Sequence, residues 1–291
     1  MVIDGKKIAE DIIGGLKLQP KPNKILAAIL AGENPISINF LEQKKKIAEQ
    51  LRIDFRIYKF PENSSSDDLR KEIRKITLLK RVGGAIIQLP LPERLNRQYI
   101  LNVIPREKDV DVLGERALGA FYVGRNPVSP PSVATVQEIL SLREIWRSQI
   151  NSCKVAVVGA GFLIGKPITT WFMGKAKELY LLDIGSDLSI LKQADLIISG
   201  VGKAGLIKPE MLKENAAVID FGISVGEDGR IYGDFDSTVI KNLKFKIKNL
   251  MHTPTPGGTG PILVAKIFEN FYALNKYERG LFSNEKIFSI I

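Results

Sequence analysis

Lys44, Gln88, Asp109 and Asp111 are the side chains of the first half of the sequence whose types and spacing suit chemistry. On a helix expected over 36–51, Phe40, Ile47 and Leu51 share one face, and Lys44 falls inside that apolar stripe while Lys45 and Lys46 point elsewhere. A lysine aimed at an apolar interior has two outcomes. It carries its ammonium out to water along its methylene stem, or burial lowers its pKa and yields a neutral amine usable as a general base. The pattern alone leaves both open. Gln88 follows Ala85-Ile86-Ile87 at the C-terminal end of an expected strand, the edge at which ligands bind in open α/β sheets. Its amide suits holding a substrate or a catalytic lysine, and equally a loop hydrogen bond that fixes the turn at Pro90. Asp109 and Asp111 are separated by one residue, so an extended segment would turn both carboxylates to one side. That spacing suits a polar ligand with several N–H groups, or a solvent-facing loop.

A second constellation lies in Val155-Ala156-Val157-Val158-Gly159-Ala160-Gly161-Phe162-Leu163-Ile164-Gly165-Lys166-Pro167. Four apolar residues read as a buried strand, and Gly159, Gly161 and Gly165 form a turn leading into a helix. Glycines there let the backbone approach a pyrophosphate, and the helix N-terminus offers it free N–H groups and a partial positive charge. An ordinary strand-to-helix turn has the same glycine pattern. Asp183 ends the next expected strand, where an acid accepts hydrogen bonds from the adenosine ribose hydroxyls. A 2′-phosphate would meet like charge at that point. The expectation is a preference for NAD over NADP, the alternative being that Asp183 caps the following turn.

The elements that must position these groups alternate. A helix is expected over 6–16, a strand over 24–30, the helix 36–51, an extended segment over 54–60, a helix started by Ser64-Ser65-Ser66-Asp67-Asp68, and an apolar strand ending in Gln88-Leu89-Pro90-Leu91-Pro92. Pro127, Pro130 and Pro131 punctuate a hinge, with Ser132 as the expected cap of a helix into a second domain. Strands are then expected at 155–159, 179–183, 194–199 and 216–221, followed by a hairpin-like stretch over 227–234. Pro261 is the expected first residue of a last helix that returns to the first domain. Such β/α alternation means parallel sheets covered by helices. The fold class is α/β with two domains: a catalytic one over 1–130 completed by 261–291, and a Rossmann-type nucleotide-binding one over 131–260.

Composition narrows the function classes. With 45% hydrophobic residues and no apolar run of spanning length, no membrane helix is expected. The start of the sequence shows no basic-then-apolar leader, so a cytoplasmic location is expected. Cys153 is the one cysteine and His252 the one histidine, which excludes an internal disulfide and argues against zinc hydrolysis. The net charge of +10 is spread along the chain without a nucleic-acid-binding motif, so solvated surface and attraction of an anionic small molecule are the expected roles.

Gly32-Glu33-Asn34-Pro35 through Lys45, Gly83 through Pro92, Pro105 through Asp111, the glycine turn, Val218 through Ser224 and His252 through Pro261 occur in an order and spacing that resembles the bifunctional methylenetetrahydrofolate dehydrogenase/methenyltetrahydrofolate cyclohydrolase family. The resemblance runs from Ile3 to the last helix. It implies oxidation of 5,10-methylenetetrahydrofolate by a nicotinamide cofactor, NAD or NADP, then hydrolysis of the methenyl product to 10-formyltetrahydrofolate, with no metal. By motif position, Lys44 would be the base or proton shuttle of the hydrolysis, Gln88 its hydrogen-bonding partner, and Asp111 the carboxylate for the pterin N–H groups. Phe40 would stack on the folate, and Pro256, Gly257 and Gly258 would line a folate cleft between domains. A homodimer joined through the nucleotide domains is implied as well. The sequence departs from the family pattern at Phe40, where tyrosine is usual, at Val112 for glycine, at Pro130-Pro131-Ser132-Val133, and at Ala160-Gly161. Loss of the tyrosine hydroxyl predicts hydrolysis slower than hydride transfer. The alternatives are a dehydrogenase-only member or a folate- or nucleotide-binding protein without catalysis.

Overall fold

The computed structural model describes residues 1–142, 149–237 and 247–276, and its contacts divide the chain into two compact units. One holds Leu16–Val110, Gly114–Arg116 and the residues from Phe268 on; the other holds Met1–Gly15, Asp111–Leu113 and Ala117–Ile267. The sequence places the first boundary at 130 and the whole N-terminal helix before it, whereas the contacts assign Met1–Gly15 to the second unit. Backbone pairing is the reason: the Ile3 N–H donates to the His252 carbonyl and the His252 N–H to that of Met1, so the N-terminal segment extends a sheet edge.

The first unit is built on a parallel sheet of order β2-β1-β3, from β1 (Ile25–Ala31), β2 (Asp54–Phe60) and β3 (Val82–Ile87). Strand β1 is buried on both faces, as its unbroken apolar sequence requires. Ala28 and Leu30 pack with Leu41 of α2 (Pro35–Gln50), while Ile25 and Ala27 pack on the other side with Val82 and with Ile76 of α3 (Ser66–Leu78). Asn34 caps α2 by accepting from the Ile36 and Ser37 N–H groups, and Ser65 caps α3 through the Asp68 N–H. The last helix (Thr259–Lys276) returns here as expected: Asn270 Nδ2 donates to the Val110 carbonyl and Asn275 Nδ2 to that of Gly83. That helix starts at Thr259, so Pro261 lies within its first turn.

The second unit carries five parallel strands in the order β10-β7-β6-β4-β5, formed by β4 (Lys154–Val158), β5 (Glu178–Leu182), β6 (Leu196–Ser199), β7 (Ala217–Asp220) and β10 (Met251–His252). The two-residue period of the strands sends Val155, Val157, Leu196, Ile198 and Ile219 to one core, with Ile8, Val136, Ile168 and Phe172 from covering helices. Ala156, Val158, Ile197 and Val218 face the other core, with Leu191, Ile207 and Phe235. The helix Pro131–Ser141 begins at Pro131, and Ser132 is not its cap; buried in the first turn, it donates instead to the Leu163 carbonyl. A proline at the first helical position needs no partner for an N–H it lacks. A hairpin is formed by β8 (Ser224–Val225) and β9 (Ile231–Tyr232), so its first strand lies ahead of the 227–234 stretch expected to hold it. No helix among the described residues is long and apolar enough to cross a membrane.

Two glycines with opposite surroundings test the packing. A Cβ on Gly84 in β3 would lie 2.7 Å from a Phe271 ring carbon and 2.9 Å from Val110, whereas one on Gly14, inside the helix Gly5–Lys17, meets nothing within 4 Å. Gly84→Ala is expected to cost about 1–3 kcal/mol by overpacking, and Gly14→Ala to add about 0.5–1 kcal/mol through helix propensity. Urea unfolding of the two variants reads both signs.

Candidate active site

In the first unit, Lys44 and Gln88 meet. Lys44 Nζ donates to Gln88 Oε1 at 2.8 Å, and Gln88 Nε2 donates to the Leu89 carbonyl at 2.7 Å. The amide is therefore used at both ends, and exchanging them would set its NH2 against the Lys44 N–H donors. Both residues are buried, at 7% and 6% exposure, so Lys44 does not reach bulk water along its stem. Helix and strand deliver them together. Leu41 packs α2 against β1, and the Gln88 N–H donates to the Ile29 carbonyl, holding Gln88 at the C-terminal edge of the sheet. The buried stripe of α2 is Ser37, Leu41, Lys44 and Ala48, continued by the buried Leu51 of the expected face; Phe40 and Ile47 of that face are half-buried at its border. Lys44 and Leu51 belong to both stripes, so the inward aim of Lys44 holds although Leu41 and Ala48 take the places of Phe40 and Ile47; of the two outcomes open for its amine, the buried one is found. The Phe40 ring centroid lies 6.0 Å from Lys44 Nζ.

Asp109 and Asp111 do not form an extended pair. Asp109 is buried and its carboxylate accepts from the Gly114 N–H at 2.8 Å, while Val110 and Asp111 occupy a turn and Asp111 is half-buried. Val112 follows with φ of 56°, a left-handed backbone that a β-branched residue rarely takes. Its side chain is fully buried, and that burial offsets the local strain.

In the second unit the glycine turn stands at the switch point of the sheet, with β5 on one side of β4 and β6 on the other. Gly159 has φ of +94°, and a Cβ on Gly165 would sit 1.7 Å from the Gly159 carbonyl oxygen, so the helix Gly165–Phe172 can approach only without a side chain. Gly161 is exposed, and the nearest atom to its missing Cβ is 3.9 Å away, which leaves its backbone open to a ligand. Ala160 between them is half-buried. The Gly159 N–H donates to the Leu182 carbonyl at 2.7 Å, so Asp183, the next residue, lies beside the turn. Asp183 is exposed; Ser186 closes the loop there by accepting the Asp183 N–H on its hydroxyl, so the carboxylate is not the turn's cap. This set fits a dinucleotide: close backbone approach, an open glycine, and an acid at the end of the second strand.

Pro256, Gly257 and Gly258 form a loop tied to the N-terminal segment, with the Thr255–Pro256 bond cis and Gly257 at φ of +96°. The Gly5 N–H donates to the Gly257 carbonyl at 3.0 Å, and a Cβ on Gly5 would lie 1.7 Å from the Gly258 oxygen. Gly5 was not singled out in the sequence; its one trace is a glycine at the very start of an amphipathic helix.

Also unforeseen were two buried carboxylates, Asp220 and Asp234. Asp220 accepts from the Gly222 and Phe235 N–H groups, its own N–H donates to Thr253 Oγ1, and its carbonyl accepts from Thr259 Oγ1. Each acid sits over a glycine beside the other: a Cβ on Gly222 would lie 2.1 Å from the Asp234 carboxyl and one on Gly233 2.2 Å from Asp220 Oδ2. The triplets Asp220-Phe221-Gly222 and Gly233-Asp234-Phe235, each an acid followed by phenylalanine with a glycine beside them, are the signal in the sequence. Burial pushes the Asp220 pKa up from 3.8 to about 6; the neighbouring Asp234 charge adds to that rise, and backbone donors led by Phe235 oppose it.

Parallel strand order, a glycine turn at the switch point and a second α/β unit with a buried lysine–amide pair define a two-unit α/β protein of the dinucleotide-binding class. Residues 133–279 match the family described as tetrahydrofolate dehydrogenase/cyclohydrolase, NAD(P)-binding domain, and residues 3–111 match its catalytic domain. The bifunctional protein FolD of Staphylococcus aureus is 31% identical over 288 residues, 96% of this chain and 98% of that protein. The structure of the bifunctional FolD dehydrogenase/cyclohydrolase from Campylobacter jejuni superposes with a TM-score of 0.88 at 29% identity, covering 96% of this chain and 99% of that one. The Trypanosoma brucei dehydrogenase–cyclohydrolase, solved with NADP cofactor and inhibitor, gives 0.86 at 25% identity over 96% and 99%. The chain belongs to the tetrahydrofolate dehydrogenase/cyclohydrolase family. It is an enzyme of folate one-carbon metabolism, joining methylenetetrahydrofolate dehydrogenase and methenyltetrahydrofolate cyclohydrolase activity.

The Asp220 shift predicts a pH dependence. An acid whose folded-state pKa lies above its unfolded value stabilises the fold in its protonated form, so the contribution is complete below about pH 4 and lost as pH rises through about 6. The unfolding free energy of the wild type minus that of Asp220→Asn should therefore fall by up to roughly 3 kcal/mol between pH 4 and 7. Urea titrations of both proteins at each pH measure this, and a pH-independent difference would contradict it.

Proposed function

We propose that Lys44 carries the proton traffic of the hydrolysis, and the observation behind this reading is its buried hydrogen bond to Gln88. Water attacking the methenyl carbon must lose a proton. The neutral amine accepts it and returns it to N5 as the C–N5 bond breaks, while the hydroxyl of the adduct gives up its own proton to solvent as the C=O of the N10 formyl group forms. Gln88 keeps the amine in one place, because its amide is itself anchored on Leu89. Asp111 binds the N–H groups of the pterin, the Phe40 ring stacks on it, and Pro256, Gly257 and Gly258 line the folate site. In these terms residues 1–130 with the last helix form the folate domain and 131–260 the nucleotide domain, and the working molecule is a cytoplasmic homodimer.

In the other half-reaction a hydride leaves the methylene carbon for the nicotinamide ring, which is the chemistry the cofactor supplies. This chain's part is to hold the dinucleotide: Gly159, Ala160, Gly161 and Gly165 for the pyrophosphate, and Asp183 for the adenosine ribose. The exposed Asp183 carboxylate beside the turn favours a free 2′-hydroxyl over a phosphate, and the reading is NAD in preference to NADP. Catalytic efficiency with each cofactor tests it; the value for NAD should be the larger by at least tenfold, and Asp183→Ser should narrow the gap. Equal or better efficiency with NADP overturns the preference.

Hydrolysis is tested separately, by following loss of the methenyl compound without nucleotide. Lys44→Met should reduce that rate by about 10²–10⁴-fold, with the fold retained. Phe40→Tyr should move it the other way, by about tenfold, since the added hydroxyl lies one helical turn from Lys44 and can orient the amine or the water. A folded Lys44→Met variant that hydrolyses at the wild-type rate would remove the lysine from the mechanism.

A further inference from the structure

The buried pair Asp220–Asp234 has a direct connection to the glycine turn. Strand β6 ends at Ser199, and the loop Gly200-Val201-Gly202-Lys203 leaves the sheet at the edge where ligands bind in such folds. That loop is the wall of the turn: the missing Cβ of Gly159 would lie 3.0 Å from a Val201 methyl and 3.1 Å from the Gly200 oxygen, and that of Gly200 2.5 Å from Ile164. The conformation of the loop is held by one side chain. Asp234 Oδ2 accepts from Ser199 Oγ at 2.6 Å and from the Val201 N–H at 2.8 Å, and Oδ1 accepts from the Lys203 N–H at 2.7 Å. Asp234 and Ser199 are both fully buried.

We propose that Asp234 is a positioning residue for the dehydrogenase half-reaction: by clamping the amides of Val201 and Lys203 it sets the wall against which the glycine turn receives the nicotinamide dinucleotide. The carboxylate does not touch the reacting atoms. Its partner Asp220 keeps it in place through the two glycines and the Phe235 N–H. An acceptor at both oxygens is needed, because Lys203 uses one and Val201 the other. Asn in that position sets its NH2 against one of these backbone N–H groups in either orientation, so one buried donor loses its partner and the loop shifts.

The inference rests on the nucleotide-binding reading of this unit, and the test separates the two. Binding of NAD and NADP is measured by calorimetry on the wild type, on Asp234→Asn and on Leu191→Ala, which weakens the core of the same unit. Steady-state KM and kcat are measured for dehydrogenation, and hydrolysis of the methenyl compound is followed without nucleotide. Asp234→Asn is expected to raise cofactor Kd and KM about tenfold or more while changing hydrolysis less than twofold; Leu191→Ala is expected to lower Tm with Kd unchanged. A folded Asp234→Asn protein with wild-type Kd and KM overturns the proposal. Equal weakening in Leu191→Ala also overturns it, by reducing the effect to general destabilisation. A wild type that binds neither nucleotide overturns instead the reading on which it rests. Amide exchange supplies a check that needs no variant: the Val201 and Lys203 amides should exchange slowly in the protein without nucleotide, and fast exchange there sinks the clamp.

Discussion

A parallel sheet sends every strand out at the same edge, and the backbone donors of all the departing loops are stranded there together. In the five-stranded unit this problem is answered by buried acceptors. Asp234 takes the donors of the loop after β6, Asp220 takes those of Gly222 and Phe235, and Thr253 takes the Asp220 N–H. An unpaired buried N–H costs about 1–3 kcal/mol, so these few side chains govern several kcal/mol of loop conformation. Burying two carboxylates side by side is the physical cost, and it shows as the raised Asp220 pKa. The edge so organised is also where the glycine turn and Asp183 lie, so the scaffold that satisfies the backbone shapes the nucleotide site as well.

The three-stranded unit meets the same rule on a smaller scale. Gln88 is the first residue past β3, and its side chain answers the Leu89 carbonyl on one side and Lys44 Nζ on the other. A buried polar group is tolerable only with such partners. What stabilises the local structure therefore also presents an amine of fixed position at the C-terminal edge of the sheet, and the proposed proton chemistry of hydrolysis uses that position.

Glycine marks the places where main chain approaches main chain. Gly165 lets a helix close on the Gly159 carbonyl, Gly5 lets the N-terminal segment close on Gly258, and Gly222 and Gly233 leave room for the two acids. Val112 is the contrary case, a bulky residue in a left-handed conformation, held there with its side chain fully buried.

What could be read without coordinates was whatever depends on local periodicity or on residue type at fixed spacing. The β/α alternation, the glycine turn, Asp183 one strand later and the inward aim of Lys44 are all of this kind. They are legible because a strand repeats every two residues and a helix about every 3.6, so a single segment reports its own inner face. Contacts between distant segments are of another kind. The Lys44–Gln88 bond spans 44 positions, and the clamp of Asp234 on Val201 spans 33. Nothing in either segment alone states which donor an acceptor will meet. The spacing of Asp109 and Asp111 allows a matched pair on an extended segment or a solvent-facing loop, and the turn at Val110–Asp111 gives neither, with Asp109 buried and Asp111 half-buried. Likewise the periodicity puts Phe40 on the buried face of α2 where Leu41 is found, because both are apolar and only the packing of Leu41 against Ala28 and Leu30 decides between them. The sequence by itself determined the elements, their order and the residue types at the turns. Tertiary structure decided which buried polar groups met, because each such bond joins a donor and an acceptor from segments that only the folded chain brings together.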